Sequence, residues 1–354
     1  MWRALARLRH EGREHRRAVA AWEGVRRALP ATVDSPAGGL TICSVAFRAR
    51  ACLDLNHGLM HRLNPGAALP EWLLFDNNTE SVETIDRDDP RFTVVPASGG
   101  GFVLGYDHAI GISGLLSRVK TRFLLIQDPD CFILRPDWIR DVTQHMERHE
   151  LGFFGTPINP RRHNSYRYFP YMVCMFVDLA RVPIRDLCFV PDVWRTGASL
   201  SYRMRRSLTR IPKAGSFFRG LLTEQYKTNG WRIKAEYGGG DRVKFECVQP
   251  VWDVNDTIPP GSLKRWIHGL TPDVMSPVPK KRGYCSPRGF TSMGAPDVAA
   301  LGWEEFVWQG RPFAFHVGSV HGQPGRYERQ LESVLRDFGG VPPPVAHPAA
   351  PVTA

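Results

Sequence analysis

The stretch Phe123-Leu-Leu-Ile-Gln-Asp128-Pro-Asp130-Cys-Phe-Ile-Leu134 places two carboxylates, one residue apart, between two apolar runs. A short apolar run that ends at polar turn residues predicts a buried β-strand. An Asp-x-Asp at a strand end can present oxygen ligands to a hard divalent cation such as Mg²⁺ or Mn²⁺, and such a cation can neutralise a diphosphate. Asp-Pro-Asp is also a good turn sequence, so the stretch alone is equally compatible with a structural role.

Three further apolar runs precede this one, at 41–47, 72–75 and 92–95. Between them lie two stretches whose apolar residues recur at helical spacing, 53–60 and 109–116. Short β-rich runs that alternate with helices predict an α/β fold with a mostly parallel sheet. Ligands bind at the carboxyl ends of the strands in such a sheet, so we expect the polar residues after these runs to converge on one crevice.

Four segments in order carry a resemblance to a known family: TICSVAFRA (41–49), WLLFDNNTES (72–81), VVPASGGGFVLGYDHAIG (94–111) and FLLIQDPDCFIL (123–134). Together they resemble the nucleotide-binding half of family 2 glycosyltransferases, which have the GT-A fold. The resemblance implies a GT-A-like (Rossmann-like) α/β domain, with a mostly parallel sheet flanked by helices and a loop-rich acceptor half. It also implies an inverting, metal-assisted enzyme of the hexosyltransferase type, which moves a sugar from a nucleotide-diphosphate sugar to an acceptor hydroxyl. A cell-surface glycan or a lipid-linked sugar is the expected acceptor.

The resemblance also implies, position by position, the residues that contact the nucleotide-sugar donor: Ala46, Phe47, Asp76, Asp107 and Asp128. Asp76 matches the acid that hydrogen-bonds the nucleotide base, and Ala46 and Phe47 lie where the first strand meets the base and ribose. Asp107 stands where the family usually has Asn, which changes the donor and acceptor character of that contact. An Asx-turn role for Asp76 and a helix-start role for Asp107 are the structural alternatives.

The resemblance implies a divalent metal, Mn²⁺ or Mg²⁺, held by Asp128, Asp130 and His316. Asp130 matches the metal-binding acid of the family, and Asp128 is its neighbour near the ribose and diphosphate. His316 ends the apolar run that starts at Phe313, where related GT-A enzymes often place a late histidine. A histidine at the end of an apolar strand is also commonly a core residue, so that alternative stays open for His316.

Family members usually carry an acidic general base at a helix start in the second half of the domain. The matching segment of this chain has Arg195 in the acidic place, and arginine cannot act as a base. Asp192 is the first substitute for the catalytic carboxylate and Glu224 is the second. A helix cap or a surface charge would explain either residue equally well.

The predicted organisation is a basic N-terminal helix and linker (1–38), a glycosyltransferase-like domain (39–330, with a nucleotide-binding half at 39–140 and an acceptor half at 141–330), and a C-terminal helix end with a disordered Pro/Ala-rich tail (331–354). Within the acceptor half, residues 231–236 and 245–250 are predicted to form short strands.

The N-terminal segment, residues 1–29, carries eight Arg against three Glu and has apolar residues at helical spacing. One interpretation is a solvated helix that lies on the domain. The other is a basic amphipathic helix that makes peripheral contact with an anionic membrane. No nucleotide-site motif falls within this segment, so deletion of residues 1–36 is expected to spare donor hydrolysis.

Composition limits the remaining classes of function. The net charge of +11 could attract nucleic acid, but the Arg residues are dispersed and no recognition-module pattern appears, so no nucleic-acid partner is predicted. The seven cysteines are scattered and never spaced as CxxC, and no apolar run approaches the ~18 residues of a membrane span. A cytoplasmic location is therefore predicted, with a peripheral position on the inner face of the membrane as the alternative. A sugar nucleotidyltransferase and a catalytically degenerate glycosyltransferase-like binding protein are the competing functions.

Overall fold

A computed structural model of the chain describes residues 2–30, 39–77, 85–96, 105–160, 167–192, 227–253, 255, 258–270, 273, 279–318 and 326–338. The helices are α1 (Trp2–Ala28), α2 (Arg50–Leu63), α3 (Tyr106–Leu116), α4 (Trp138–His149), α5 (Trp231–Tyr237), α6 (Leu263–Leu270) and α7 (Arg326–Asp337). The strands are β1 (Leu40–Ala46), β2 (Glu71–Asp76), β3 (Thr93–Pro96), β4 (Phe123–Gln127), β5 (Cys131–Ile133), β6 (Leu151–Gly155), β7 (Cys174–Asp178), β8 (Lys244–Cys247), β9 (Gln249–Pro250), β10 (Glu304–Trp308) and β11 (Arg311–His316). Short 3₁₀ helices cover Ile184–Asp186, Phe290–Met293 and Ala299–Leu301.

The main sheet has seven strands in the order β3-β2-β1-β4-β7-β6-β8. Strands β3, β2, β1 and β4 are mutually parallel. Strand β7 is antiparallel to both of its neighbours, β4 and β6, and β8 is parallel to β6. All strands except β7 therefore run in one direction, and the predicted α/β class with a mostly parallel sheet flanked by helices is confirmed.

Both faces of the main sheet are covered, because alternate residues of its strands point to opposite sides. On one face, Cys43 and Val45 of β1 belong to a buried cluster with α1 and α3. On the other face, Ile42 packs with α2, α4 and the second sheet. Helix α3 lies very close to the sheet at Gly111, where a Cβ atom would come 2.7 Å from the Phe75 ring, so the position needs glycine.

The second sheet has four strands in the order β5-β11-β10-β9, and all its pairs are antiparallel. One side of it packs on the main sheet through Phe306 and Phe313. Its other side packs on α2 and α7 through Phe132 and Phe315. Because β5 follows directly after Asp130, this sheet begins at the Asp-Pro-Asp turn.

Helix α7 crosses the predicted domain boundary at residue 330. Leu331, Val334 and Leu335 are buried in the cluster that α7 shares with α2 and the second sheet, so the core includes residues after 330. The predicted disordered tail lies outside the described residues from 339 onwards.

The strand prediction for residues 231–236 is wrong, because these residues form helix α5. Ile233 and Tyr237 are both buried, and their spacing of four places them on one face of a helix. A short apolar run cannot be assigned to a helix or a strand by its periodicity alone, which explains the error.

All seven cysteines are free thiols, as their scattered spacing predicts. Among the described residues, no helix combines the length and the apolar character that crossing a bilayer requires.

Helix α1 is packed on the domain and contributes to its core. Ala18 and Trp22 are 0% and 2% exposed in the cluster that α1 forms with α3. The burial of Ala18 and Trp22 therefore agrees with the first interpretation of the N-terminal segment, a helix that lies on the domain. The expectation that residues 1–36 can be deleted without effect on donor hydrolysis is revised, since the deletion would expose the apolar surface of α3. Membrane contact by the first turns of α1 stays a prediction.

Trp22→Ala should lower the free energy of unfolding by about 3–5 kcal/mol, because it empties a buried site between α1 and the sheet. Arg16→Ala is the matched control on the exposed side of the same helix and should change stability by less than ~0.5 kcal/mol. Urea unfolding monitored by circular dichroism measures both. Equal stability of the two variants would contradict a core role for α1.

Candidate functional site

The order of strands in the main sheet reverses between β1 and β4. The chain moves outward from β1 through β2 to β3 and then returns with β4 on the other side of β1. In open α/β sheets this reversal leaves a crevice at the carboxyl ends of the strands, where ligands bind. Ala46 ends β1, Asp76 ends β2, and Asp128 follows the end of β4. These three predicted site residues therefore lie along one edge of the sheet.

Asp128 and Asp130 lie on a tight turn that leaves the main sheet. The backbone N–H of Asp128 donates to the carbonyl of Val173 (3.0 Å), and that of Cys131 donates to the carbonyl of Asp128 (3.0 Å). The Asp128 side chain is 26% exposed, whereas that of Asp130 is 10% exposed. Asp128 therefore remains accessible from the crevice, while Asp130 is enclosed by the second sheet.

His316 reaches the turn because β11 pairs with β5, which sets His316 opposite Cys131. The backbone N–H of Val317 also donates to the carbonyl of Asp130 (3.0 Å). His316 Nε2 lies 3.3 Å from Asp130 Oδ1. One ligand atom each from Asp128, Asp130 and His316 lies within 4.8 Å of the other two. The structure thus brings together all three residues that the sequence predicts as metal ligands.

Glu304 orients the imidazole of His316 from the neighbouring strand. The two residues are opposite each other in the β10–β11 ladder, and His316 Nδ1 donates to Glu304 Oε2 (2.8 Å). This leaves Nε2 directed at Asp130. Burial alone would lower the pKa of His316, but the carboxylates of Asp130 and Glu304 outweigh it and raise that pKa well above its ordinary value.

The donor set of this cluster fits a divalent cation. Carboxylates and imidazole are ligands of Mn²⁺, and carboxylates are ligands of Mg²⁺. A metal-binding histidine must be neutral at its ligating nitrogen, and its other ring nitrogen usually donates to a carboxylate. Glu304 provides that carboxylate here. With Nδ1 donating to Glu304, His316 Nε2 would be available, together with Asp128 and Asp130, to hold such a cation.

Asn56 of α2 holds the Asp-Pro-Asp turn, a role that the sequence analysis missed. Its side-chain amide donates to the carbonyls of Pro129 (2.7 Å) and Cys131 (3.1 Å), and the residue is 5% exposed. Asn56 lies 73 residues before Pro129 in the chain, and a lone Asn in a helix has no local signature. Only the packing of α2 beneath the turn reveals the contact.

The first turn of α3 connects further candidates to the metal-ligand cluster. Gly105 precedes it with φ of 97°, a conformation that favours glycine. Asp107 is 5% exposed and lies 3.7 Å from Arg17 Nη1 on α1. His108 Nε2 lies 3.3 Å from Asp128 Oδ1. Asp107 therefore faces α1, and the next residue, which sequence reasoning missed, reaches the metal-ligand cluster.

Asp192 lies at the end of a described segment and is 5% exposed. Its backbone N–H donates to the carbonyl of Lys227 (2.7 Å). Lys227 Nζ lies 4.0 Å from Asp192 Oδ2, and His15 Nε2 of α1 lies 3.9 Å from Oδ1. Two basic side chains therefore flank this carboxylate. The second candidate base, Glu224, and also Arg195 lie outside the described residues.

The residues expected to contact the nucleotide base and ribose lie at the ends of β1 and β2. Asp76 is 5% exposed, and its Oδ2 accepts the backbone N–H of Ile85 (3.0 Å). The Ala46 side chain is buried in the core, and its carbonyl accepts the N–H of Asn77 (2.9 Å). Any ligand contact of Ala46 would therefore come from its backbone. Phe47 is half-buried at the same edge.

Comparisons with known proteins give structural likeness only. No protein-family model matches the chain, and no curated protein matches it. Among solved structures, S. aureus TarS in complex with UDP-GlcNAc aligns at 12% identity and a TM-score of 0.31, over 43% of this chain and 48% of the TarS chain. The alignment thus spans about half of that chain, which holds residues 1–349 of TarS.

Two further solved structures are a mannosyltransferase and a galactosyltransferase. The mannosyltransferase PcManGT from Pyrobaculum calidifontis, in complex with GDP-Man and Mn²⁺, aligns at 13% identity and a TM-score of 0.33, over 59% of this chain and 71% of that one. The galactosyltransferase LgtC, in complex with donor and acceptor sugar analogs, aligns at 10% identity and a TM-score of 0.31, over 59% and 73%. At such identities and scores the likeness assigns no activity to this chain, so function has to be inferred from the site residues.

Asn56→Ala should weaken Mn²⁺ binding roughly 10–100-fold, because loss of its two hydrogen bonds releases the turn that carries both carboxylates. Asn64→Ala is the matched control, since Asn64 is also a buried Asn beside α2 but bonds Met60 and Ile139 instead of the turn. Titration with Mn²⁺ followed by electron paramagnetic resonance measures both affinities. Equal losses in the two variants would mean that Asn56 only supports the fold.

Proposed function

We propose that this chain is a glycosyltransferase that moves a sugar from a nucleoside-diphosphate sugar to an acceptor hydroxyl with inversion. The observation that supports this proposal most is the convergence of Asp128, Asp130 and His316 at the switch point of an α/β sheet. That edge is where such sheets bind nucleotides, and the cluster is a donor set for a cation that pairs with diphosphate. The ordered motifs between residues 41 and 134 support the same assignment.

The donor would lie along the carboxyl edge from β2 to β4. Asp76, at the end of β2, is suited to accept a hydrogen bond from the nucleotide base, with Phe47 beside it. Asp128 is the accessible member of the metal-ligand cluster and would lie nearest the diphosphate. Mn²⁺ or Mg²⁺, when bound by Asp128, Asp130 and His316, supplies positive charge that stabilises the leaving diphosphate.

Inversion requires a general base that removes the proton from the acceptor hydroxyl as the sugar is transferred. Asp192 is our first candidate and Glu224 the second. Asp192 follows Pro191, which lies beside Gly105 at the start of α3. His108 in the first turn of the same helix contacts Asp128, so α3 connects Asp192 to the metal-ligand cluster. No covalent enzyme intermediate is part of this mechanism. The acceptor class we propose is a cell-surface glycan or a lipid-linked sugar.

A second candidate function is a sugar-nucleotide-binding protein without transferase activity. The flanking of Asp192 by His15 and Lys227 favours it, because a carboxylate engaged with two basic groups can serve a purely structural purpose. Arg195, in place of the usual acid, points the same way. Such a protein would bind the donor with the metal but would not turn it over.

Asp130→Ala should lower metal-dependent donor cleavage by at least ~10²-fold, since a metal contributes several kcal/mol to stabilising the transition state. Asp241→Ala removes an exposed aspartate elsewhere and should leave the rate unchanged. The assay follows release of nucleoside diphosphate from a panel of sugar nucleotides with and without Mn²⁺. Unaltered metal dependence in Asp130→Ala would refute the metal assignment, and formation of a nucleoside triphosphate and a sugar 1-phosphate when pyrophosphate is added would indicate a nucleotidyltransferase instead.

Asp192→Asn should lower kcat by about 10²-fold or more with little change in KM for the donor, as loss of a general base requires. Lys227→Met is the comparison, because it removes a partner of the same carboxylate without removing the base. Steady-state kinetics and thermal melting are measured for both variants and for Glu224→Gln. A normal kcat in Asp192→Asn with an inactive Glu224→Gln would transfer the role to Glu224.

A further inference from the structure

Helix α6 presents an apolar stripe to solvent. Leu263, Trp266 and Leu270 are 71%, 65% and 67% exposed. Among the described residues, Leu69 is the other large apolar side chain that is exposed to solvent. Positions i, i+3 and i+7 fall within an arc of about 60° around a helix, so the three side chains share one face. Apolar side chains that cluster on a surface, unlike single ones, mark an interaction site.

The segment around this stripe is strongly basic. Residues 258–288 hold six Lys or Arg and a single acid, Asp273. Lys280 Nζ donates to the carbonyl of Gly269 (3.2 Å), which places the run Lys280-Lys281-Arg282 beside the carboxyl end of α6. Asp273 is already engaged, since its Oδ1 accepts the backbone N–H of Lys280 (3.0 Å) and its Oδ2 accepts from Tyr168. Asp273 also lies 3.7 Å from Arg167 Nη1, so the one acid of this segment is shared among several donors, and the segment keeps an excess of positive charge.

We propose that the stripe of α6 and the run 280–282 form one docking surface for an anionic lipid bilayer. Leu263, Trp266 and Leu270 would enter the boundary between headgroups and acyl chains, where tryptophan is enriched. Lys281 and Arg282, both exposed, would bind lipid phosphates.

A bilayer suits this surface better than a protein partner. Three side chains on an eight-residue helix cover far less than the ~800 Å² that each partner contributes to a stable protein interface. A bilayer needs only shallow insertion of a few apolar side chains together with nearby cations. The charge of the segment is complementary to anionic headgroups and repels a second copy of the same surface.

The docking surface is connected to the candidate site by one short loop. The Tyr168 hydroxyl accepts the backbone N–H groups of Lys280 (3.1 Å) and Lys281 (3.2 Å). Five residues later, the carbonyl of Val173 accepts the backbone N–H of Asp128. If the proposed transferase function holds, on which this step rests, docking through α6 would bring the site to acceptors in the membrane and favours a lipid-linked sugar.

Co-sedimentation with vesicles tests the docking surface without any assay of activity. The full chain should bind vesicles of equimolar phosphatidylcholine and phosphatidylglycerol and should bind far less to phosphatidylcholine alone. Trp266→Ser and the double variant Lys281→Glu/Arg282→Glu should each lower the partition coefficient at low salt by at least ~10-fold. Leu69→Ser, and Arg13→Glu/Arg16→Glu on exposed positions of α1, are the matched controls and should bind like the natural chain.

Several outcomes would overturn the proposal. No binding of the natural chain to anionic vesicles would do so, as would equal binding by the α6 variants. Loss of binding only in Arg13→Glu/Arg16→Glu would assign the contact to α1. Conversion of a dimer to a monomer by Trp266→Ser in analytical ultracentrifugation, without a change in vesicle binding, would identify an interface between copies. Donor hydrolysis in solution should be unchanged in all these variants, so failure of the docking surface and failure of the transferase assignment are separable.

Discussion

The candidate site depends on the antiparallel pairing of β11 with β5, which brings His316 Nε2 to 3.3 Å from Asp130 Oδ1. Strand β5 begins one residue after Asp130, so the chain leaves the main sheet at the point where it presents its carboxylates. The second sheet then covers one face of the main sheet and also supplies the imidazole. Glu304, opposite His316 in the same sheet, orients that imidazole. The strand pairings that build the second sheet therefore also assemble the candidate site.

Local patterns were sufficient to predict the edge of the main sheet and its carboxylates. Apolar runs that end in turn residues identify β1, β2 and β4, and the polar residues after them follow from the geometry of a parallel sheet. Contacts between residues far apart in the chain have no comparable signature in the local sequence pattern. Asn56 and Glu304 look like ordinary helix and strand residues, and their roles appear only when α2 packs beneath the turn and β10 pairs with β11. The helix at 231–237 was mistaken for a strand because a short run has no distinguishing period.

Two basic segments of the chain, helix α1 and the segment around helix α6, have different surroundings. Helix α1 buries Trp22 against α3, and its Arg17 and His15 approach Asp107 and Asp192, so these two side chains lie beside the proposed site. Helix α6 leaves Trp266 in solvent next to a cationic run. Membrane contact through the first turns of α1, which the sequence predicts, stays a prediction, and among the described side chains an exposed apolar stripe suited to such contact lies on α6.

The most direct test of the central claim, a metal-assisted diphosphate site at the end of β4, is a thermal-shift comparison on the unmodified protein. Nucleoside diphosphates and the matching monophosphates are each added with Mn²⁺ or with EDTA. At least one diphosphate should raise Tm with Mn²⁺ and much less with EDTA, whereas its monophosphate should show little dependence on the metal. A diphosphate that stabilises the protein equally with Mn²⁺ and EDTA, or stabilisation by none of the panel, would contradict the account.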